Sequence, residues 1–218
     1  MSSTPTPTSE RSTKLSKVVS ELSVSLDGFV AGPNDGPELP LGEGGQHLFG
    51  WYNMGDVEVP LPGTDMVLRV SRASADLLQE EWSQTGAMVA GRRMFDIAHA
   101  WGGHPPGGGP CFIVTHHPPQ EWIQEGAPFI FVTDGVESAI RQARDSAGRK
   151  SVDVSSASIM QQCLKAGLLD EIRIDLVPVL LGSGVRLFDH LGAMPIQLER
   201  IRVVEAPGVT HLRFRIVR

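Results

Sequence analysis

Cysteine is scarce in this chain. Cys111 and Cys163 are the two present, and no C-x-x-C pair occurs. That excludes a disulfide framework and a zinc knuckle, and a reducing cytoplasm is the simplest setting. Long apolar runs are missing too. None reaches the ~18 residues that would span a bilayer, and the first 17 residues, rich in Ser, Thr and Pro, lack the apolar stretch of a secretory signal. They read as a disordered leader ahead of one domain over 18–218. Positive charge is also in deficit: the formal net charge is -6. An acidic chain repels nucleic acid and anionic membranes, so neither is an expected partner. No G-x-S-x-G elbow, Walker A loop, zinc pattern or Rossmann G-x-G-x-x-G is found.

What remains is an ordinary globular balance, 41% hydrophobic and 20% charged over 218 residues, enough for one sizeable core. Apolar runs of strand length alternate with helical spacing. Strands are expected over Val18–Leu26, Ala87–Ala90, Cys111–Thr115, Phe129–Val132, Ser151–Val154 and Glu171–Val177. Ile196–Val204 and Val209–Val217, around Pro207-Gly208, form an antiparallel hairpin. Helices are expected over Gln46–Asn53, Ser71–Trp82 (stopped by Gly86), Arg92–Ala100, 136–147 (capped by Thr133-Asp134, ended by Gly148) and Ile159–Ala166. Residues 33–45 and 54–66 read as loops. Strand–helix–strand repeats call for parallel pairing with right-handed crossovers. The expected architecture is therefore three-layered αβα: a mixed, mainly parallel, eight-stranded sheet with helices on both faces and no second domain.

Ligands of open α/β sheets bind beyond the carboxyl ends of the strands. Three turns qualify. At Gly91-Arg92-Arg93 a tight turn opens a helix beside two guanidinium groups, which suits a phosphate; a solvated arginine pair satisfies the same pattern. Thr115-His116-His117 can hold a ribose or phosphate. The two imidazoles point to opposite faces if extended, so no metal is expected. At Ser155-Ser156-Ala157-Ser158 small hydroxyl residues let a diphosphate approach a helix start, although a plain Ser N-cap accounts for them equally well.

Four segments together resemble one family. Ser-Leu-Asp-Gly-Phe-Val-Ala-Gly-Pro at 25–33, Gly91-Arg92-Arg93-Met94-Phe95-Asp96, Gln161 through Ile172, and Pro178 through Gly184 with Arg186-Leu187-Phe188 occur in the order seen in the dihydrofolate-reductase-like superfamily. They are most similar to its branch related to the reductase domain of the bacterial riboflavin-biosynthesis deaminase-reductase. The resemblance spans about residues 18 to 217. It implies an NADPH-dependent reductase that passes a hydride to a small heterocyclic or C=N/C=O substrate, pterin- or pyrimidine-related. It also implies a homodimer, for which the hairpin residues Ile201, Val203, Leu212, Phe214 and Ile216 supply apolar surface. Val30, Ala31 and Gly32 would approach the nicotinamide, and Gly91, Arg92 and Arg93 would hold phosphates. Thr115 and His116 would lie at the adenosine end, and Ser155, Ser156, Ala157 and Ser158 at the diphosphate. The family's proton-donating carboxylate lies on the helix before the Gly-Arg turn, which matches Asp76; a helix-dipole role fits Asp76 as well. Trp51 is a candidate wall of the substrate pocket or a core residue, and Asp27 a turn residue. In one place the sequence departs from the family: Ser155-Ser156 replaces the usual Gly-Gly, often cis, and a non-proline cis bond costs about 2.5–4 kcal/mol. The alternative function is a non-catalytic nucleotide- or ligand-binding protein on the same fold, with an eroded cofactor turn.

Overall fold

The computed structural model describes residues 16–192 and 195–218. Twelve strands and four α-helices follow in chain order: β1 (Val18–Ser25), β2 (Phe29–Ala31), β3 (Val57–Pro60), β4 (Val67–Val70), α1 (Arg72–Ser83), β5 (Thr85–Gly91), α2 (Arg92–Ile97), β6 (Cys111–Val114), β7 (Phe129–Val132), α3 (Val136–Ala147), β8 (Ser151–Val154), α4 (Ala157–Lys165), β9 (Glu171–Val177), β10 (Val185–Arg186), β11 (Leu198–Ala206) and β12 (Val209–Ile216). Eight of the strands form one sheet in the order β11-β12-β9-β1-β8-β5-β6-β7. The pairs from β9 through β7 are parallel, and the β11–β12 hairpin adds the antiparallel end.

The period-2 pattern decides which side chains meet which helices. One face carries Val18, Val24, Ala87, Val89, Val152 and Val154 against Ala139, Ile140 and Ala143 of α3 and Met160 and Cys163 of α4. On the other face Met88, Ala90, Cys111 and Ile113 pack on Phe95 of α2. Trp51, Leu68, Val70, Ala75 and Leu78 build a separate apolar cluster around α1 and the β3–β4 hairpin.

The eight main strands stand where the sequence puts them. The differences lie elsewhere. The segment read as a loop over 54–66 contains half of the β3–β4 hairpin, whose inward residues Val59, Leu68 and Val70 are buried. The turn over Gly45–Asn53 is 3-10 rather than α. α1 stops at Gln84, and Gly86 lies inside β5. The N-cap of α3 is Gly135, at φ 101°, in place of the expected Thr133-Asp134. The helix opened by Arg92 ends at Ile97. His99, Ala100 and Trp101 then take left-handed φ values of 48°, 51° and 48°. Each such residue costs about 1–2 kcal/mol, offset here by burial of Ala100 and by Trp101 stacking on Phe129. The expected leader falls outside the described residues up to 15. Ser16 and Lys17 belong to the fold: the Ser16 hydroxyl donates to the Gly148 carbonyl at 2.6 Å, and Lys17 pairs with Glu171. No helix of the described residues is long and apolar enough to cross a membrane.

Candidate active site

β8, β5 and β6 are neighbours and parallel, so their carboxyl ends deliver all three candidate turns to one sheet edge. The Gly91 N–H donates to the Ser156 hydroxyl at 3.2 Å, and the Ser155 N–H donates to the Val89 carbonyl at 3.0 Å. Gly91 is there for space rather than for its dihedrals: an added Cβ would lie 3.3 Å from Ile159 and 3.5 Å from the Ser156 hydroxyl. Ser156 is the N-cap residue of α4 but makes no side-chain cap bond to its own helix. Its hydroxyl serves Gly91 instead. The opening N–H groups of α4 therefore have no capping side chain, a condition under which a helix start can accept an anion.

The two arginines do different things. Arg92 donates to Asp96 at 2.8 Å and to the His117 carbonyl, and the His117 N–H donates to the Thr115 hydroxyl at 3.2 Å. Arg92 thus ties the second turn to the first. Arg93 reaches the 33–45 loop, where Asp35 accepts from it through both its carboxylate, at 2.8 Å, and its carbonyl, at 2.7 Å. His116 is exposed at the same turn.

The 29–32 segment continues from β1, whose parallel neighbour is β8. β2 pairs with β10, with Ala31 opposite Val185, and Val30 is half-buried. Gly32 is packed so closely that a Cβ would fall 1.9 Å from the Glu43 carbonyl oxygen. Asp27 holds this corner together. Its carboxylate accepts from the Ser25 hydroxyl at 2.6 Å and from the N–H groups of Leu181 and Gly182 at 3.1 and 2.7 Å. The Ser25 hydrogen bond, helped by those two N–H groups, lowers its pKa to about 2. Asp27 is a turn-building anion.

Two candidates are not brought to this edge. Asp76 stands in solvent, its side chain 63% exposed beside Arg72 at 3.7 Å, on a helix that packs on β3 and β11. Trp51 is 2% exposed in the core, with its indole N–H on the Ser23 hydroxyl at 3.3 Å. It presents no wall to a ligand in this structure. Of the two roles open to each from sequence, Trp51 takes the core position and Asp76 lies solvated near the start of α1, because helical or turn position was legible but facing was not.

The sequence reading missed a buried polar face. β9 alternates as expected, yet its polar side is covered as well. Asp175 accepts from His211 at 2.7 Å, His211 meets the Ser74 hydroxyl at 2.9 Å, and Arg213 reaches Glu81 at 2.7 Å, Asp175 at 3.0 Å and Glu21 at 3.2 Å. Arg173 adds contacts to Glu21, Glu81 and Glu171. Burial, with the Glu81 and Asp175 carboxylates, pushes the Glu21 carboxyl well above its usual range despite both arginines. Asp153 of β8 lies on this face too, between Val19 of β1 and Met88 of β5. The available signal was charge recurring at alternate positions of two strands that pair antiparallel, Arg173/Asp175 in β9 and His211/Arg213 in β12. Among the described residues no group of three or more His, Cys, Asp or Glu could hold a metal ion.

A mixed eight-stranded sheet with this strand order, flanked by helices on both faces and with its polar turns gathered at one edge, is a dihydrofolate-reductase-like fold. The chain belongs to the RibD C-terminal domain family, whose model matches residues 16–210. Its structure is similar to that of a protein from Shewanella sp. PV-4 provisionally assigned to riboflavin biosynthesis, with a TM-score of 0.66 and 20% identity over 93% of this chain and 99% of that one. It is also similar to dihydrofolate reductase from Enterococcus faecalis complexed with NADP(H), at TM-score 0.54 and 11% identity over 93% and 97% of the two chains. A third similar structure is the diaminohydroxyphosphoribosylaminopyrimidine deaminase/5-amino-6-(5-phosphoribosylamino)uracil reductase of Thermotoga maritima, at TM-score 0.57 and 13% identity over 94% of this chain and 57% of that one. The chain matches none of the curated protein sequences. Family and fold together place it among reductase-type proteins.

Proposed function

We propose that the protein is an NADPH-dependent reductase acting on a small heterocyclic or C=N/C=O substrate, pterin- or pyrimidine-related, and working in the cytoplasm. One observation carries the reading: the turns at Gly91, Thr115 and Ser155–Ser158 meet at a single sheet edge through the Gly91–Ser156 and Arg92–His117 hydrogen bonds. The residues present fit the cofactor. The start of α4 has no side-chain cap, a Cβ at Gly91 would crowd Ile159 at 3.3 Å, and Arg92 links two of the turns. NADPH when bound supplies the hydride. The N–H groups opening α4 would take the diphosphate, Arg92 and Arg93 the phosphates, and Thr115 with His116 the adenosine end. Val30, Ala31 and Gly32 would orient the nicotinamide through their backbone. Asp76 has no part in this reading, because its carboxylate is solvated against Arg72.

A second reading rests on two hydrogen bonds. Ser156 occupies the Gly91 N–H, and Asp35 occupies Arg93. Both are groups the cofactor would use, as in a binding protein whose cofactor turn has closed. Titrating purified protein with NADPH and NADH, followed by nucleotide fluorescence, separates the two. Saturable NADPH binding tighter than NADH supports the reductase; no response to either supports the closed turn.

The same reading includes a homodimer. α3 and α4 cover β5, β6 and β8, while the hairpin end of that sheet face carries Leu198 and Val203 exposed and Leu212 and Phe214 half-buried. Beside them lies a groove of about 310 Å³ lined by Leu164, Ile172, Phe188, Leu191 and Leu198. Exposed apolar side chains of this kind support pairing with a second copy through the hairpin.

A further inference from the structure

Asp153 is an odd residue to find directly behind a turn that should hold an anion. It is on the strand that ends in Ser155-Ser156, and its flanking residues on the same face, Val19 and Met88, are buried and apolar. One carboxylate oxygen, Oδ2, accepts from the Ser155 hydroxyl. The other, Oδ1, is shut off from solvent and has no hydrogen-bond partner; among the described residues no other buried side-chain polar atom is left so. A buried acceptor without a donor costs free energy that protonation or a ligand can recover. The Ser155 hydroxyl has one hydrogen to give, and the carboxylate takes it.

We infer that Asp153 and Ser155 form a proton-coupled switch at the diphosphate turn. With Asp153 ionised, Ser155 donates inward and offers the turn only a lone pair. When Asp153 takes a proton from solvent, its O–H donates to the Ser155 oxygen. The bond between the two residues is kept with its direction reversed, and the Ser155 hydrogen is released to donate to a phosphate oxygen. Protonation also removes a negative charge from behind the anion. Anion binding and proton uptake are therefore linked, each favouring the other by the same factor. Asp153 acts through Ser155 and is a positioning residue. The inference rests on the proposed cofactor reading.

The surroundings permit the switch near neutral pH. Burial raises the Asp153 carboxyl to about 6, against the lowering effects of the Ser155 hydrogen bond and the Arg173 guanidinium. Around Asp153, β1 presents the Glu21 backbone N–H, which lowers its pKa, β9 presents Arg173, α1 presents Glu81, β6 presents the neutral Cys111 thiol, which burial and Asp153 push up, and β5 presents the uncharged Met88. Burial outweighs the N–H and the Arg173 charge, and the Glu81 carboxylate opposes that charge, so Asp153 is not pinned in its ionised form.

The test is calorimetric titration of the full chain with NADP⁺, which is stable in acid, between about pH 5.5 and 8, in buffers of different ionisation enthalpy. The parent should take up more protons on binding than Asp153→Asn, and its Kd should tighten toward low pH by about tenfold for each unit by which binding raises the Asp153 pKa. The Asp153→Asn protein should lose the part of this pH dependence that comes from Asp153. Ser155→Ala provides the second arm. It removes the hydroxyl through which Asp153 acts, so the extra proton uptake and the tightening of Kd toward low pH should shrink well below the parent's. Equal proton counts in parent and Asp153→Asn, or a parent-like pH dependence of Kd in Ser155→Ala, would overturn the switch while leaving the cofactor reading intact. No NADP⁺ binding at any pH in any variant would overturn the cofactor reading, and the switch with it.

Discussion

The Gly91 N–H and the Ser156 hydroxyl, 65 residues apart in sequence, are joined by a 3.2 Å hydrogen bond that welds two strand-to-helix turns into one surface. The bond has a consequence for affinity. The N–H it occupies is one a phosphate would otherwise use, and Ser156 takes the place of a glycine in the resembling family. Ser156→Gly should free the Gly91 N–H and tighten NADPH several-fold, while costing about 0.5–1 kcal/mol of stability through unfolded-state entropy. Fluorescence titration together with a melting curve reads both effects. Weaker NADPH binding in the glycine variant would mean that the serine is an adapted contact.

Arg92 and Arg93 should separate by role. A charge-assisted bond to the 2′-phosphate is worth about 1.5–3 kcal/mol. Replacing both by Ala should weaken NADPH by tens of fold and leave NADH nearly unchanged. Of the singles, Arg92→Ala should be the more damaging. Arg92 already holds the Thr115–His117 turn, whereas Arg93 must first leave Asp35. Equal losses for NADPH and NADH in the double variant would assign both arginines to the shared diphosphate.

Arg213 is the positive centre of the buried polar face, and Arg213→Met should cost roughly 3–5 kcal/mol by stranding carboxylates. At about 2–4 °C per kcal/mol for a domain of this size, the melting temperature should fall by about 6–20 °C. The pH sign follows from the same groups. In the parent, burial alone would raise the Asp175 carboxyl, but His211 and Arg213 outweigh it and hold it below its ordinary value. That stabilisation is present above the unfolded pKa and is lost as pH falls through the folded one. Without Arg213, which lowers both, Asp175 and Glu21 shift upward. A raised carboxyl destabilises the fold above its unfolded pKa and is relieved as pH drops. The deficit relative to the parent should therefore shrink between about pH 8 and pH 5, as read by melting curves across pH. A deficit that grows on acidification would contradict this assignment.

The exposed hairpin face predicts a dimer. Light scattering at micromolar concentration should give twice the chain mass of 23.5 kDa. Val203→Lys should return a monomer with the parent's circular dichroism, because Val203 is 42% exposed and opposes Leu212 on the hairpin. A monomeric parent would remove the dimer from the account.

Much of the framework was legible because local periodicity carried it. Strand-length apolar runs at 111–114, 129–132 and 171–177 had one reading each, and Gly148 and Gly167 ended helices at φ 63° and 65°. The β3–β4 hairpin was not legible, because Pro60 and Gly63 read as loop residues and the strands are only four residues long. The site was legible as three turns, since each sits at a strand end. The partners of those turns were not. Nothing near Arg93 in sequence announces Asp35, 58 residues away, and nothing near His211 announces Asp175 and Ser74, 36 and 137 residues away. Facing left two roles open for Asp76 and Trp51 for the same reason: a helical or turn segment tells which residues share a side, while tertiary packing decides which side is inward.

The most direct test of the account is an amide ¹H–¹⁵N correlation spectrum of the protein recorded with and without NADPH. The account predicts saturable shifts at Gly91, Arg92, Thr115, His116, Ser156, Ala157 and Ser158, with the Asp76 amide and the Trp51 indole left in place. Shifts centred on Asp76 and Trp51, or a spectrum that saturating NADPH leaves unchanged, would contradict it.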